Sequence, residues 1–334
     1  MLGEYRRIFI QYGKTAAAAC RVDDRVEKAK MPHTDAYPLS QSQQNIWRLE
    51  RTHSGAPIGN ICEAVHIRGR FDPALLQESL NHVLAQDASL RTRLLLSKEG
   101  EPRQYTADYT PVHFPVFDFT LSSKESFDHW EATVAREPLP LVGGPLFSFS
   151  IFKLGESHGG VLLKTHHIIS DGWSQVLLTN RVAAAYLALL AGEPLVEESY
   201  PSYRRHVDKE QAYATSAAHG RDQAFWENLL AEPFTPAAIK ECKSAQVSPI
   251  GLRKTFDLPE LLNHAIFSFC EQNRVSPFAV FYMALAIYLK RAKGLDRFSI
   301  GVPIFNRGDF VDRETSCDGI AQADDLKRYE VYGG

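Results

Sequence analysis

The sequence holds little that would tie it to a nucleic acid, a bilayer or a bound phosphate. Its charges nearly cancel, 37 Lys+Arg against 40 Asp+Glu for a formal net charge of −3, so there is no electrostatic case for nucleic acid or an anionic membrane. Its five cysteines, Cys20, Cys62, Cys242, Cys270 and Cys317, are scattered and contain no Cys-x-x-Cys pair. They read as reduced thiols in a cytoplasmic protein. No apolar run looks long enough to span a membrane, and Ile8-Phe9-Ile10 is too short for the core of a secretory signal. Gly143, Gly144 and Gly172 lack the spacing and the terminal Lys-Ser/Thr of a phosphate-binding loop. What remains is a chain of 334 residues, enough for two ordinary domains and a sizeable core.

One stretch concentrates the chemistry. From Gly160 to Thr165 the residues are mostly apolar, as in a buried strand, and Ser174 to Leu190 carries spaced apolar residues with few breakers, as in a helix. Between them stand His166, His167, Asp171, Gly172 and Trp173. Neighbouring residues of an extended strand face opposite ways, so one histidine can face a cleft while the other packs behind it. Histidine is the side-chain type whose unperturbed pKa lies nearest neutral pH, so His167 can take a proton from an attacking amine or hydroxyl. Asp171 and Ser174 suit the cap of the next helix, Asp171 can also fix the loop that aims His167, and Gly172 suits a turn that brings backbone close to a substrate. The same residues also read as two structural histidines beside a helix cap. A metal reading is weaker, because adjacent strand residues diverge and no third ligand cluster stands nearby.

Elsewhere the pattern alternates between the two periods. Tyr37-Pro38-Leu39-Ser40 opens a capped helix carrying Ile46, Trp47 and Leu49 on one side, and Asn60 to Gly69 is a strand. Asp72-Pro73 starts a helix through Leu84, and Asp87 to Leu96 is the next strand. Two short strand candidates lie between Pro102 and Phe119, followed by a helix over Ser123 to Glu137. Leu146 to Leu154 alternates as a strand and pairs with the central strand as a hairpin. Tyr200 to Tyr213 is polar and broken by Pro201, and Arg221 to Leu230 is a short helix. Farther on, Leu252 to Leu258 reads as a strand and Pro259 to Gln272 as a helix. Ser276 to Lys293 reads as a core helix through Phe278, Phe281, Tyr282, Leu285, Ile287 and Leu289, and Phe298 to Pro303 as another strand.

The run His166, His167, Asp171, Gly172, Trp173 and Ser174 resembles the His-His-x-x-x-Asp-Gly signature of the condensation domains of nonribosomal peptide synthetases. Leu39, Ser40, Ser42, Gln43 and Trp47 are similar to that family's opening motif, and Leu90-Arg91-Thr92-Arg93-Leu94 to its second. There Gln86, Asp87 and Ala88 replace Arg-His-Glu, a departure that leaves the usual ion pair of that arginine open. Pro201-Ser202-Tyr203 and Asp222, Phe225 and Trp226 match the close of the first lobe, where such aromatics usually pack. Gly301-Val302-Pro303-Ile304-Phe305-Asn306-Arg307 resembles the family's Gly-x-Pro-x-x-Asn-Arg. After Thr315 the likeness stops and the tail is polar, acidic and patternless.

The resemblance implies an α/β, two-lobe chloramphenicol-acetyltransferase-like fold with a complete N-lobe and a partial C-lobe, C-terminally truncated. Its parts are residues 1–31 as an extension, 32–232 as the N-lobe, 233–249 as a linker, 250–315 as the partial C-lobe and 316–334 as a divergent tail. It implies amide-bond formation between an acyl or peptidyl thioester and an aminoacyl thioester. The substrates ride on the phosphopantetheine arms of upstream and downstream peptidyl carrier proteins, with an adenylation domain as a further partner, and the domain itself binds no cofactor or metal. His167 is then the base, the Gly172 N–H an oxyanion donor, and His166, Asp171, Ser174 and Arg307 the support, with Asp171 paired to Arg307. A free-standing acyltransferase, an epimerisation domain, and an inactive remnant that at most binds a carrier stay open as alternatives.

Overall fold

A computed structural model of the chain describes residues 35–198, 200, 202–231, 255–295 and 298–302, with the backbone of Lys327–Glu330. The extension 1–31, the linker 233–249 and Arg307 lie outside the described residues. Two compact units are present, the first running to Thr215 and the second starting at Ser216. The lobes expected at 32–232 and 250–315 overlap these units without coinciding with them.

The first unit contains, in chain order, β1 (Tyr37–Pro38), α1 (Gln41–Thr52), β2 (Asn60–Arg68), α2 (Pro73–Gln86), β3 (Thr92–Leu96), β4 (Pro102–Thr106), β5 (Val116–Asp118) and α3 (Lys124–Arg136). It continues with β6 (Phe147–Gly155), β7 (His158–His166), α4 (Gly172–Ala191) and α5 (Tyr203–Ala214). Four strands form the main sheet in the order β2-β7-β6-β5, and β1-β4-β3 form a smaller one. β7 is paired on both sides along its whole length, with β2 and with β6, which is why its sequence is nearly unbroken in burial.

The sheet is covered on both faces, and alternation along β6 and β7 divides the residues between them. Val161, Leu163, Phe147, Phe149 and Ile151 enter the main core with Leu76, Leu80 and Val83 of α2 and Leu178, Val182 and Tyr186 of α4. Each such fully buried side chain contributes about 1.5–3 kcal/mol. The opposite face is aromatic and carries α3: Phe127 lies 4.9 Å from Phe152 and 5.7 Å from Trp130, ring centre to ring centre. On this face Lys164 is buried, and its ammonium donates to the carbonyls of Val134 (2.8 Å) and Glu137 (3.1 Å) at the end of α3. That contact satisfies orphan carbonyls and sets a cation at the negative end of the helix.

Several expectations need correction. Residues 203–214, read as polar and broken, form α5, because Ser202 caps the chain just after Pro201. By length and composition α4 is long and apolar enough to cross a bilayer, contrary to the expectation that no run is. Its buried Leu178, Val182, Ala185 and Tyr186 make it the core helix of this unit. Leu49, expected on the buried side of α1, is 50% exposed; the inner face of that helix is Gln43, Ile46 and Trp47.

The second unit holds α6 (Ala217–Leu229), α7 (Glu260–Asn273), α8 (Pro277–Lys293), β8 (Ser299–Val302) and β9 (Lys327–Glu330). Residues 255–258, expected in a strand, are irregular, and the tail is not patternless, since β9 pairs antiparallel with β8 from Ser299 opposite Glu330 to Val302 opposite Lys327. Leu285, Ala286 and Leu289 of α8 pack with Phe298 and Ile300, but Phe278, Phe281 and Ile287, expected in the core, stay exposed. A two-stranded ribbon is too small to cover a 17-residue helix. Phe225 and Trp226 of α6 are exposed too, in edge-to-face contact with each other.

Against the sheet, burial pushes the Glu131 carboxyl of α3 up to about 7, with Asp128 adding to the rise and Lys124 opposing it. The folded chain therefore holds a proton that the unfolded chain has released, so Glu131 favours folding most below about pH 4.5 and loses that contribution as pH rises through about 7. Thermal melts of Glu131→Gln and the wild type should nearly coincide at pH 5. At pH 8 the variant should be the more stable, and an unchanged difference across that range would refute the assignment.

Candidate active site

β7 delivers the two histidines to a tight turn, and three sets of hydrogen bonds hold it. The backbone N–H of His166 donates to Leu146 (2.8 Å), that of His167 to Gly59 (2.6 Å) and that of Ile169 to His166 (3.0 Å). His166 is fully buried while His167 is half-exposed, as the alternation of strand residues requires. The chain then enters α4 through Asp171, whose Oδ1 accepts from the N–H and the hydroxyl of Ser174, both at 2.7 Å. This is an N-cap on a helix whose first N–H groups would otherwise be orphans.

His167 is oriented by backbone. Its Nδ1 lies 2.9 Å from the Ser170 carbonyl oxygen, which can only accept, so Nδ1 carries the proton and the lone pair of the neutral ring is on Nε2. Asp171, expected to fix the loop that aims His167, places its Oδ1 on Ser174 at the start of α4. Gly172 is the first residue of α4, has no positive φ, and would meet nothing within 4 Å if given a Cβ. Neither strain nor crowding demands glycine there; what the missing Cβ leaves is an open approach to an exposed helix-opening N–H. The proposed Asp171–Arg307 pair lies outside the described residues. Among the described residues no cluster of three or more His, Cys, Asp or Glu could hold a metal.

Sequence reasoning missed the layer behind the turn. Gln43 of α1 donates through Nε2 to the Ile168 carbonyl (3.1 Å) and to Gln104 Oε1 (2.9 Å). In return it accepts from Gln104 Nε2 (2.7 Å) and the Ser40 N–H (3.0 Å). Tyr203 donates its hydroxyl proton to Ser40 Oγ at 2.8 Å. Gln175 Nε2 spans from Thr165 Oγ1 to Ser170 Oγ, tying the end of β7 to the residue whose carbonyl holds His167. Glu50 reaches His166 Nε2 at 3.3 Å. A signal existed for two of these: Gln43 and Glu50 lie about two turns apart on the face that carries Ile46 and Trp47.

These contacts link residues far apart in the chain. A family model described as the condensation domain matches residues 33–317. The chain belongs to the condensation-domain family. It is 33% identical over 275 residues to surfactin synthase subunit 1 of Bacillus subtilis (strain 168), covering 81% of this chain and 8% of that protein. To the dimodular nonribosomal peptide synthase of the same organism it is 27% identical over 282 residues, covering 83% and 12%. Among solved structures, the starter condensation domain of rhizomide synthetase in complex with C8-CoA is 28% identical with a TM-score of 0.71, covering 81% of this chain and 61% of that one. The first condensation domain of the calcium-dependent antibiotic synthetase, at 24% identity, shares the fold with a TM-score of 0.74 over 88% and 69%. The chain therefore spans about a tenth of these curated relatives and about two thirds of the solved domains.

In this condensation domain, then, the opening motif braces the signature turn through Gln43, and the Pro-Ser-Tyr stretch braces the opening motif through Tyr203. Residues of the second motif have partners of their own. Asp87 pairs with Arg181 of α4 at 2.7 Å, and Arg91 donates to the carbonyls of Leu84 and Ala107. Removing either member of the Gln43–Gln104 pair leaves a buried amide unsatisfied, at about 1–3 kcal/mol. Urea titrations of Gln43→Ala, Gln104→Ala and the double variant should show a second substitution that costs much less than the first; full additivity would mean that the pair does not act as a unit.

Proposed function

We propose that the chain forms an amide bond between a thioester-bound acyl group and the amine of an aminoacyl thioester, with His167 as general base. The reading rests on the hydrogen bond from His167 Nδ1 to the Ser170 carbonyl, which puts the lone pair on Nε2 of a half-exposed ring. The amine nitrogen attacks the thioester carbonyl carbon, Nε2 takes the proton the nitrogen sheds, and the tetrahedral oxyanion is met by the Gly172 N–H. Collapse expels the thiolate, to which the imidazolium returns the proton.

The substrates are carried on phosphopantetheine by upstream and downstream peptidyl carrier proteins, as the family expectation has it, with an adenylation domain supplying the aminoacyl group. No cofactor or metal enters the step. The buried thiols of Cys62 and Cys270 fit a reducing cytoplasm. For the donor, a fatty acyl thioester is favoured over a peptidyl one. The rhizomide relative is a starter domain described with C8-CoA, and a relative from Streptomyces coeruleorubidus, 25% identical over 289 residues, is an isonitrile lipopeptide synthase.

The purified chain, supplied with C8-CoA or with an octanoyl-loaded carrier and an aminoacyl-loaded carrier, should yield N-acylated product. His167→Ala should lower kcat by about 10²–10⁴. Product with the carrier-bound donor alone would exclude a free-standing acyltransferase. Deuterium uptake at the α-carbon without amide would instead make this an epimerisation domain, and carrier binding without either product would make it a remnant.

A further inference from the structure

His166 makes two contacts that define its state. Its Nδ1 accepts the backbone N–H of Ile168 at 3.0 Å, so that nitrogen carries no proton. Its Nε2 stands 3.3 Å from Glu50 Oε1. A proton on Nδ1 would be set against the Ile168 N–H, so the ring carries its proton on Nε2, the atom that faces the Glu50 carboxylate. Both side chains are nearly buried, with 2% of His166 and 11% of Glu50 exposed.

Gly59 completes the arrangement. A Cβ there would overlap both Glu50 Oε1 and His166 Nε2, while the Gly59 carbonyl accepts the His167 N–H at 2.6 Å. The carboxylate of α1, the His166 ring and the backbone of His167 are thus packed against one residue that has room for no side chain.

We propose that Glu50 is a positioning residue for His167. It anchors the His166 ring, the ring holds the Ile168 N–H, and the resulting turn, together with Gly59, fixes the backbone from which the His167 ring projects. This rests on His167 being the base of acyl transfer. Without the Glu50 carboxylate the buried His166 Nε2 loses the acceptor that stands nearest it, and the turn relaxes toward another. A shift of about 1 Å at a catalytic group is enough to cost ~10²-fold in rate.

Three variants test this. Glu50→Ala should lower kcat by about 10²-fold while leaving KM for both thioesters unchanged. Glu50→Gln, which keeps an acceptor oxygen without the charge, should lose less than about tenfold. Gly59→Ala, which pushes the pair apart with the carboxylate intact, should repeat the alanine phenotype, and thermal melts identify any variant that is merely unfolded. Histidine-selective ¹⁵N spectra supply a reading independent of turnover. In the wild type His166 should appear as the Nε2–H form and His167 as the Nδ1–H form, and both Glu50→Ala and Gly59→Ala should move the His167 signals. Unmoved His167 signals, or wild-type kcat in Glu50→Ala, would overturn the proposal. Moved signals together with full turnover in His167→Ala would uphold the coupling and defeat the catalytic reading instead.

Discussion

Everything at the signature turn depends on one backbone oxygen. The Ser170 carbonyl fixes the tautomer and the direction of His167, and it can do so only while residues 166–171 keep their conformation. A main-chain acceptor cannot titrate within the protein's working range, as a carboxylate partner can. The direction this acceptor gives the ring is therefore only as fixed as the turn, which is held from outside.

The rest of the first unit supplies that rigidity in two forms. Apolar burial fixes where β7 and α4 lie: β7 is the central, doubly paired strand, and Ile168 and Ile169 carry the core into the turn itself. Apolar contact is non-directional, however, and would allow the turn to slip or rotate by fractions of an ångström. The amides of Gln43, Gln104 and Gln175 remove that freedom, because each buried group forfeits a hydrogen bond if the turn moves. Buried polar networks specify geometry in this way when nearly all their members are satisfied. Gln175 Oε1 is the one atom of this network without a partner among the described residues.

The sequence made the frame legible and hid the bracing. Strand alternation, the Asp72-Pro73 and Ser40 caps and the hairpin ahead of the histidines are local signals, and the structure follows them within a few residues. α5 was hidden because a helix that buries little beyond Tyr203 and Val207 has hardly any apolar stripe to read. β9 was hidden because a four-residue strand depends wholly on its distant partner β8. At the site, the opposite facing of the two histidines was legible from strand alternation. The partners that Gln43, Glu50 and Gln104 meet across the fold were not, since these contacts span 60 residues or more of sequence. Gly59 was equally silent, because its constraint comes from two side chains that approach from other elements.

Asp87 of the second motif bears on where α4 lies. The signature turn runs directly into α4, so the axial position of that helix matters as much as that of the turn. It is fixed at its start by Asp171 on Ser174, at its middle by Thr179 on Glu63 (3.2 Å), and farther along by Arg181 on Asp87 (2.7 Å), with the Arg181 guanidinium stacked 3.7 Å from the centre of the Tyr200 ring. A largely buried ion pair adds little net stability over well-packed apolar residues, yet breaking one costs about 3–5 kcal/mol because a lone charge is left behind. Its effect is thus directional: α4 cannot slide along its axis without parting Asp87 from Arg181.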